Sequence, residues 1–148
     1  LLLLTWVIVY KMDLSVLYGR YESGSLNLIP LAGTAVYNGV LNYPEILFNV
    51  ISFIPFGMYM EMLFRKASWF TNLGIILLVS LVFEVWQFVF LLGIADITDL
   101  LANGFGGAIG INIMYVLTSI WREKAYSRVN ILCLSATVFV ILITYLTL

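Results

Sequence analysis

The chain has 148 residues, of which 63% are hydrophobic and 10% are charged, and its formal net charge is −1. Because a soluble domain carries about 25% charged residues, this composition excludes a soluble globular domain and indicates a protein whose solvent is lipid. The near-neutral charge argues against a nucleic-acid partner. The absence of histidine excludes a Ser-His-Asp triad and a histidine-ligated zinc site. The single cysteine, Cys133, excludes an internal disulfide.

Five apolar stretches follow one another along the chain, and a membrane-spanning helix needs ~20 such residues. The first stretch is too short to span alone and begins without methionine, so we expect its native helix to start upstream. We therefore predict an all-α, polytopic transmembrane helix bundle of about five spans, in a single integral membrane domain, residues 1–148. The predicted spans are residues 1–17, 45–64, 69–92, 100–121 and 129–148.

An apolar segment without a clean span, residues 18–44, joins the first two predicted helices. A connection of that length is uncommon unless it is a binding loop, a lid or disordered, and its many Leu, Ile and Val residues argue against disorder. We predict an interfacial or re-entrant segment on the extracytoplasmic membrane face, which covers the bundle as a lid and includes Asn27 and Pro30.

The basic residues indicate how the bundle is oriented. Lys11 and Arg20 fall on one side of the membrane, and five basic residues fall on the other. Those five are Arg65, Lys66, Arg122, Lys124 and Arg128. The positive-inside rule then predicts a multi-pass protein with a cytoplasmic N-terminus and an extracytoplasmic C-terminus.

Glu84 lies inside the third span, about 12 Å below its extracytoplasmic end at 1.5 Å rise per residue. A carboxylate at bilayer depth costs roughly 2.5–3.5 kcal/mol on insertion scales, so it rarely occurs there without a partner or a task. Gln87 shares its helix face, and other polar residues fall near the same end of the bundle. We expect these side chains to line one outward-facing polar cavity that binds a ligand: Asn49, Ser52, Glu84, Gln87, Asp96, Asp99 and Asn103.

Structural roles compete with this interpretation. Asn49 and Ser52 can join helices by hydrogen bonds, which contribute ~0.6 kcal/mol each on average in membranes. Asp96 and Asp99 can cap a helix N-terminus. Near the opposite end, Glu61 lies four residues before Arg65, which predicts an ion pair on the helix surface.

Several motifs follow in order between residues 27 and 110. They are Asn27-Leu28-Ile29-Pro30, Asn49-Val50-Ile51-Ser52-Phe53-Ile54-Pro55-Phe56-Gly57, Glu84-x-x-Gln87 and Asp96-x-x-Asp99-x-x-x-Asn103-x-x-Gly106-Gly107-x-x-Gly110. In order and spacing they resemble the VanZ-like family, small membrane proteins named for a teicoplanin resistance determinant of Gram-positive bacteria. The family's characteristic polar positions fall on Asn49, Glu84, Gln87, Asp99 and Asn103.

The resemblance implies a protein of the bacterial cell membrane that acts at the cell envelope and alters susceptibility to lipid-tailed glycopeptides. This chain departs from the family at one position. Many members carry an arginine just before the Asp-x-x-Asp segment, where this chain has Gly93-Ile94-Ala95. An anionic ligand would lose that partner, and Arg20 in the overlying segment is a candidate substitute.

We favour a non-enzymatic binding protein over an enzyme. Its partners would be membrane lipid and either a glycopeptide antibiotic or a lipid-linked cell-wall precursor, with no cofactor. The alternative is an intramembrane hydrolase or transferase with Glu84 as general acid or base, in which Asp96 and Asp99 are the only candidates to hold a divalent cation. A third possibility is a subunit of a larger envelope complex, and the sequence leaves the oligomeric state open.

Overall fold

A computed structural model describes residues 26–31, 36–37, 40–41, 43–90 and 95–147 of the chain. Most of them lie in four helices: α1, Tyr43–Leu63; α2, Trp69–Val89; α3, Ile97–Trp121; and α4, Lys124–Thr147. Each helix contains a stretch long and apolar enough to cross a membrane, so the chain is a polytopic helical membrane protein, as its sequence predicts. These helices correspond to the second to fifth predicted spans, whereas the first predicted span, residues 1–17, lies outside the described residues.

Polar side chains set where two of the helices begin. The Ser68 hydroxyl accepts a hydrogen bond from the Thr71 amide at 3.1 Å and caps α2. The Asp96 carboxylate accepts a hydrogen bond from the Thr98 amide at 2.8 Å and caps α3. Both satisfy backbone N–H groups that the first helical turn leaves without partners. Because Asp96 is the cap, α3 begins at residue 97 rather than at the predicted residue 100.

α1 and α3 form the closest helix pair and run in the same direction. A Cβ at Gly106 would collide with the backbone carbonyl of Val50, and one at Gly110 with that of Ile54. Glycine therefore allows the two helix backbones to touch, as in the small-xxx-small packing typical of membrane helices. α2 runs antiparallel to both and completes an apolar core made of Phe53, Met60, Ile76, Phe83 and Ile111.

α4 joins this three-helix core mainly through its first turns. It begins five residues before the predicted bound because only a two-residue turn separates it from α3, and Arg122 adopts a positive φ of 49° there. Ala125 and Val129 of α4 pack against Met58 of α1 and Met114 of α3. Only 6% of the span Lys124–Ile143 is buried, so most of this helix faces lipid.

Short strands, which the sequence did not predict, lie beside the helices. Strand β1, Leu26–Asn27, pairs in parallel with β4, Ala95–Asp96. Strands β2, Val36–Tyr37, and β3, Val40–Leu41, pair antiparallel. The pairing of β1 with β4 fixes part of the predicted lid beside the start of α3. The structure also describes residues 28–31, strands β2 and β3 and the first two residues of α1 within the predicted lid, and the remainder of the lid lies outside the described residues.

The predicted ion pair between Glu61 and Arg65 is wrong. The Glu61 side chain is buried and accepts a hydrogen bond from the Asn72 amide at 2.7 Å. Arg65 instead pairs with Glu123 at 3.6 Å, and its guanidinium lies 3.5 Å from the centre of the Tyr126 ring. The reason is that Glu61 lies on the face of α1 that contacts α2, whereas Arg65 follows the end of α1 and reaches the start of α4.

Candidate functional site

The two ends of the bundle differ in chemistry. All five described basic residues lie where α1 and α3 end, which we refer to as the arginine end. At the opposite end, where α1 and α3 begin, buried carboxylates and amides come together with the half-buried Asn27. We refer to this set as the aspartate-end cluster: Asn27, Asn49, Glu84, Gln87, Asp96 and Asp99.

Asp96 is the centre of this cluster and is 2% exposed. Its Oδ1 accepts hydrogen bonds from the Thr98 amide and, at 3.0 Å, from the Asn27 side chain. Its own backbone N–H donates to Glu84 Oε2 at 3.0 Å. Asp96 therefore joins α3 to the end of α2 and to residues 26–31, which we refer to as the Asn27 segment.

A second carboxylate connects α3 to α1. The Asn49 amide donates a hydrogen bond to Asp99 Oδ1 at 2.7 Å, and both side chains are buried. Asp99 lies in the first turn of α3, where the positive end of the helix dipole favours a negative charge. The structure thus assigns the cap to Asp96 and a hydrogen bond between helices to Asp99.

The predicted residues deeper in the bundle occupy different surroundings. Glu84 and Gln87 are buried on the face of α2 that contacts the core, at 5% and 3% exposure. One turn below, the Asn103 amide donates to the Ser80 hydroxyl at 2.9 Å, and both side chains are fully buried. Ser52 is half-buried on α1 and makes no hydrogen bond with these groups among the described residues.

The Asn27 segment lies across the start of α3. Asn27 exchanges hydrogen bonds with the backbone of Ile29, and the Leu31 amide donates to the Thr98 hydroxyl at 3.0 Å. Leu31 has a positive φ of 60°, so the chain turns sharply after the exposed Pro30. The apolar side chains of this segment, including Leu26, are exposed rather than packed on the bundle.

Thr98 is a site residue that the sequence analysis did not single out. Its amide completes the cap of α3 and its hydroxyl holds Leu31. The order Asp96-Ile97-Thr98 before an apolar run is a helix-start signal and could have identified the capping contact. The contact with Leu31 has no counterpart in the local sequence, because it joins residues 67 positions apart.

An apolar groove of about 280 Å³ lies on the lipid-facing side of α2, beside the aspartate-end cluster. It is lined by Leu81, Val82, Val85, Trp86, Val89 and Phe90. The rings of Trp86 and Phe90 lie 4.9 Å apart, centre to centre. Because Glu84 is buried on the other face of α2, the helix separates a polar interior from an apolar groove at the same depth.

The described residues hold no group of three or more His, Cys, Asp or Glu side chains arranged to bind a metal ion. The two predicted candidates already accept hydrogen bonds from the protein: Asp96 from Asn27 and Thr98, and Asp99 from Asn49. The expected substitute for the family's arginine, Arg20, lies outside the described residues.

Comparison with known proteins agrees with this architecture. The VanZ/LLP1 family model matches residues 1–122. A curated relative, Protein VanZ of Enterococcus faecium, is 32% identical over 148 residues, which cover 99% of this chain and 88% of the relative. No solved structure gives a significant match. Four membrane-length helices among the described residues, a family match over most of the chain and this relative together show that the chain belongs to the VanZ/LLP1 family.

Proposed function

We propose that this protein binds an amphipathic or lipid-linked ligand at the aspartate-end cluster, acts at the bacterial cell envelope and lowers susceptibility to lipid-tailed glycopeptides such as teicoplanin. One observation carries the proposal: buried carboxylates and amides from three helices converge at one end of the bundle with the half-buried Asn27. Polar groups inside membrane proteins are costly, so such a concentration favours a binding role.

The chemistry of the cluster favours a neutral, hydroxyl-rich head group. Glu84, Asp96 and Asp99 are acceptors when ionised, while the amides of Asn49 and Gln87 can both donate and accept. Sugar hydroxyls and peptide N–H groups can bond to such a set. A bare phosphate would instead face three carboxylates, and all five described basic residues lie at the other end of the bundle.

The apolar groove on α2 supports an amphipathic ligand rather than a simple sugar. An acyl chain in that groove would lie against Trp86 and Phe90, while its head group reaches the aspartate-end cluster around the end of α2. An acyl chain that enters this groove or the surrounding bilayer from water gains about 25 cal/mol per Å² of buried apolar surface, and a sugar without a tail does not. This gain would favour the lipid-tailed member of a pair of otherwise related glycopeptides.

Ligand entry requires the Asn27 segment to move. The hydrogen bond from Asn27 to Asp96 and the one from Leu31 to Thr98 close the start of α3. Each is worth about 0.5–1.5 kcal/mol net, so a ligand that forms equivalent hydrogen bonds can replace them. The segment thus acts as the lid, with Asn27 as its main contact.

We place the aspartate-end cluster on the extracytoplasmic side, where glycopeptides and exported wall precursors are found. The proposal is supported by the basic residues at the opposite end, since cytoplasmic loops of membrane proteins carry an excess of Lys and Arg. The N-terminus is then cytoplasmic and the C-terminus extracytoplasmic.

The test compares the wild-type chain with the double variant Glu84→Gln/Asp99→Asn in a susceptible Gram-positive host. Both substitutions preserve side-chain shape and a hydrogen-bond acceptor but remove the charge. Glu123→Gln is the matched control, because this carboxylate is 84% exposed at the arginine end. With membrane levels matched, we expect the wild type and the control to protect selectively against teicoplanin over vancomycin, and the double variant to lose that protection.

Two results would contradict the proposal. Equal protection by the wild type and the double variant would make these residues structural, as expected of a subunit in a larger complex. Turnover of a lipid-linked wall precursor that Glu84→Gln abolishes, with binding intact, would instead support the hydrolase or transferase.

A further inference from the structure

A second buried polar group lies at the arginine end, about 18 Å from Asn49 along α1 at 1.5 Å per residue. Glu61 of α1 is 7% exposed and Asn72 of α2 is fully buried. The Asn72 Nδ2 donates to Glu61 Oε2 at 2.7 Å, and the Tyr115 side chain of α3 lies near the same carboxylate. Three helices thus each supply one polar side chain to this point, which plays no part in the proposed ligand site.

When ionised, Glu61 has no cationic partner among the described residues. Arg65, one helical turn further, pairs with Glu123 and stacks on Tyr126. Arg128 of α4 lies over the ring of Trp121. Buried charges in proteins are normally paired or coordinate metals, because loss of hydration is costly. A glutamine would make the same contacts to Asn72 and Tyr115 without that cost.

The Asn72 amide contains a further acceptor without a donor. Its Oδ1 is buried and makes no hydrogen bond with any described residue. Because Oδ1 and Nδ2 are bonded to the same carbon, Oδ1 lies beside the Glu61 carboxylate that Nδ2 contacts. A water molecule would satisfy Oδ1 but would leave the negative charge uncompensated. A small cation would satisfy both needs.

We propose that Glu61, Asn72 and Tyr115 form a binding site for a monovalent metal cation, Na⁺ or K⁺. Carboxylate, amide and hydroxyl oxygens are hard ligands that suit hard cations, and Na⁺ sites inside membrane proteins are likewise built from oxygen atoms of helical segments. One carboxylate balances one positive charge, whereas Ca²⁺ and Mg²⁺ sites need more carboxylates or many waters. Glu61 lies two residues before the end of α1, close enough to the aqueous phase for a cation to enter.

The test measures thermal unfolding of the full chain in nanodiscs by tryptophan fluorescence, in NaCl, KCl or choline chloride at equal ionic strength. Because a ligand that binds only the folded state stabilises it, we expect Na⁺ or K⁺ to raise the midpoint by about 2–4 °C over choline, in a saturable manner. Glu61→Gln should remove the rise, Tyr115→Phe should shift saturation several-fold higher, and Glu123→Gln should keep the wild-type response.

Equilibrium binding of radioactive Na⁺ to the wild-type protein provides a second measurement if Glu61→Gln does not fold. Saturable binding that K⁺ or unlabelled Na⁺ displaces, and choline does not, supports the site. Equal midpoints in all three salts, a wild-type response in Glu61→Gln, or stabilisation by acid alone would overturn the proposal.

Discussion

Gly106→Ala tests whether the contact between α1 and α3 requires glycine. The new Cβ would collide with the backbone carbonyl of Val50, and a backbone atom within a helix cannot rotate away. The two helices must therefore separate along the whole seam, which includes Gly110. Overpacking costs typically 1–3 kcal/mol, and a collision of backbone with backbone belongs at the upper end.

The chain provides a matched control for this substitution. Gly74 lies in α2, and no described atom beyond its own chain neighbours and helix backbone comes within 4 Å of the position a Cβ would occupy. Alanine is more favourable than glycine in a helix by about 0.8–1.0 kcal/mol, so Gly74→Ala should stabilise the protein by about that amount. The same gain offsets part of the cost at Gly106. We expect Gly106→Ala to lose about 2 kcal/mol, and the two variants to differ by about 3 kcal/mol.

The assay is unfolding of the purified chain by SDS in mixed micelles, followed by circular dichroism. The free energy of unfolding is extrapolated to zero SDS for the wild type and both variants. A free energy of unfolding of Gly106→Ala within about 0.5 kcal/mol of that of Gly74→Ala would show that the close approach of α1 and α3 does not require glycine.

Three further substitutions test single contacts. Asn27→Ala should speed amide hydrogen exchange of residues 26–31 about fivefold, because it removes a hydrogen bond worth about 1 kcal/mol; unchanged exchange would mean that the side chain does not hold the lid. Arg65→Lys should lower the free energy of unfolding by about 0.5–1 kcal/mol through loss of stacking on Tyr126, with Lys66→Arg as the neutral control. A double-mutant cycle of Ser80→Ala with Asn103→Leu should show a coupling of about 0.6 kcal/mol in the free energy of unfolding. Additive effects would mean that this hydrogen bond does not stabilise the bundle.

The helices could be predicted from the sequence because each depends on a property that is local to its own span. Some 20 apolar residues specify a membrane helix whatever the rest of the chain does. The bounds were less accurate where a single side chain decides them: the Asp96 carboxylate starts α3 three residues early. Hydropathy cannot locate such a contact, because one capping hydrogen bond does not change the mean hydropathy of the surrounding residues.

Most residues of the aspartate-end cluster could be predicted, but their contacts could not, and Asn103, predicted with them, instead bonds to Ser80. Glu84 draws attention because a carboxylate inside an apolar span is costly, and this cost is visible in the sequence. Its observed hydrogen bond to the Asp96 backbone is not visible, because every residue other than proline carries the same N–H. The pairing of Asn27 with Asp96 spans 69 positions and involves two-residue strands, too short to show a period-two pattern.

The buried position of Glu61 follows from a pattern that the spacing to Arg65 conceals. Residues four apart lie on the same face of a helix. On α1 this series is buried at every step: Asn49, Phe53, Gly57 and Glu61. An exposed i,i+4 ion pair contributes only about 0.3–0.5 kcal/mol, far less than the packing of a helix face against two neighbouring helices. The buried series therefore predicts the position of Glu61 better than its spacing to Arg65 does. The face that carries Asn49 to the aspartate-end cluster therefore carries Glu61 into the bundle at the arginine end, so one face of α1 supplies a buried polar side chain to each end.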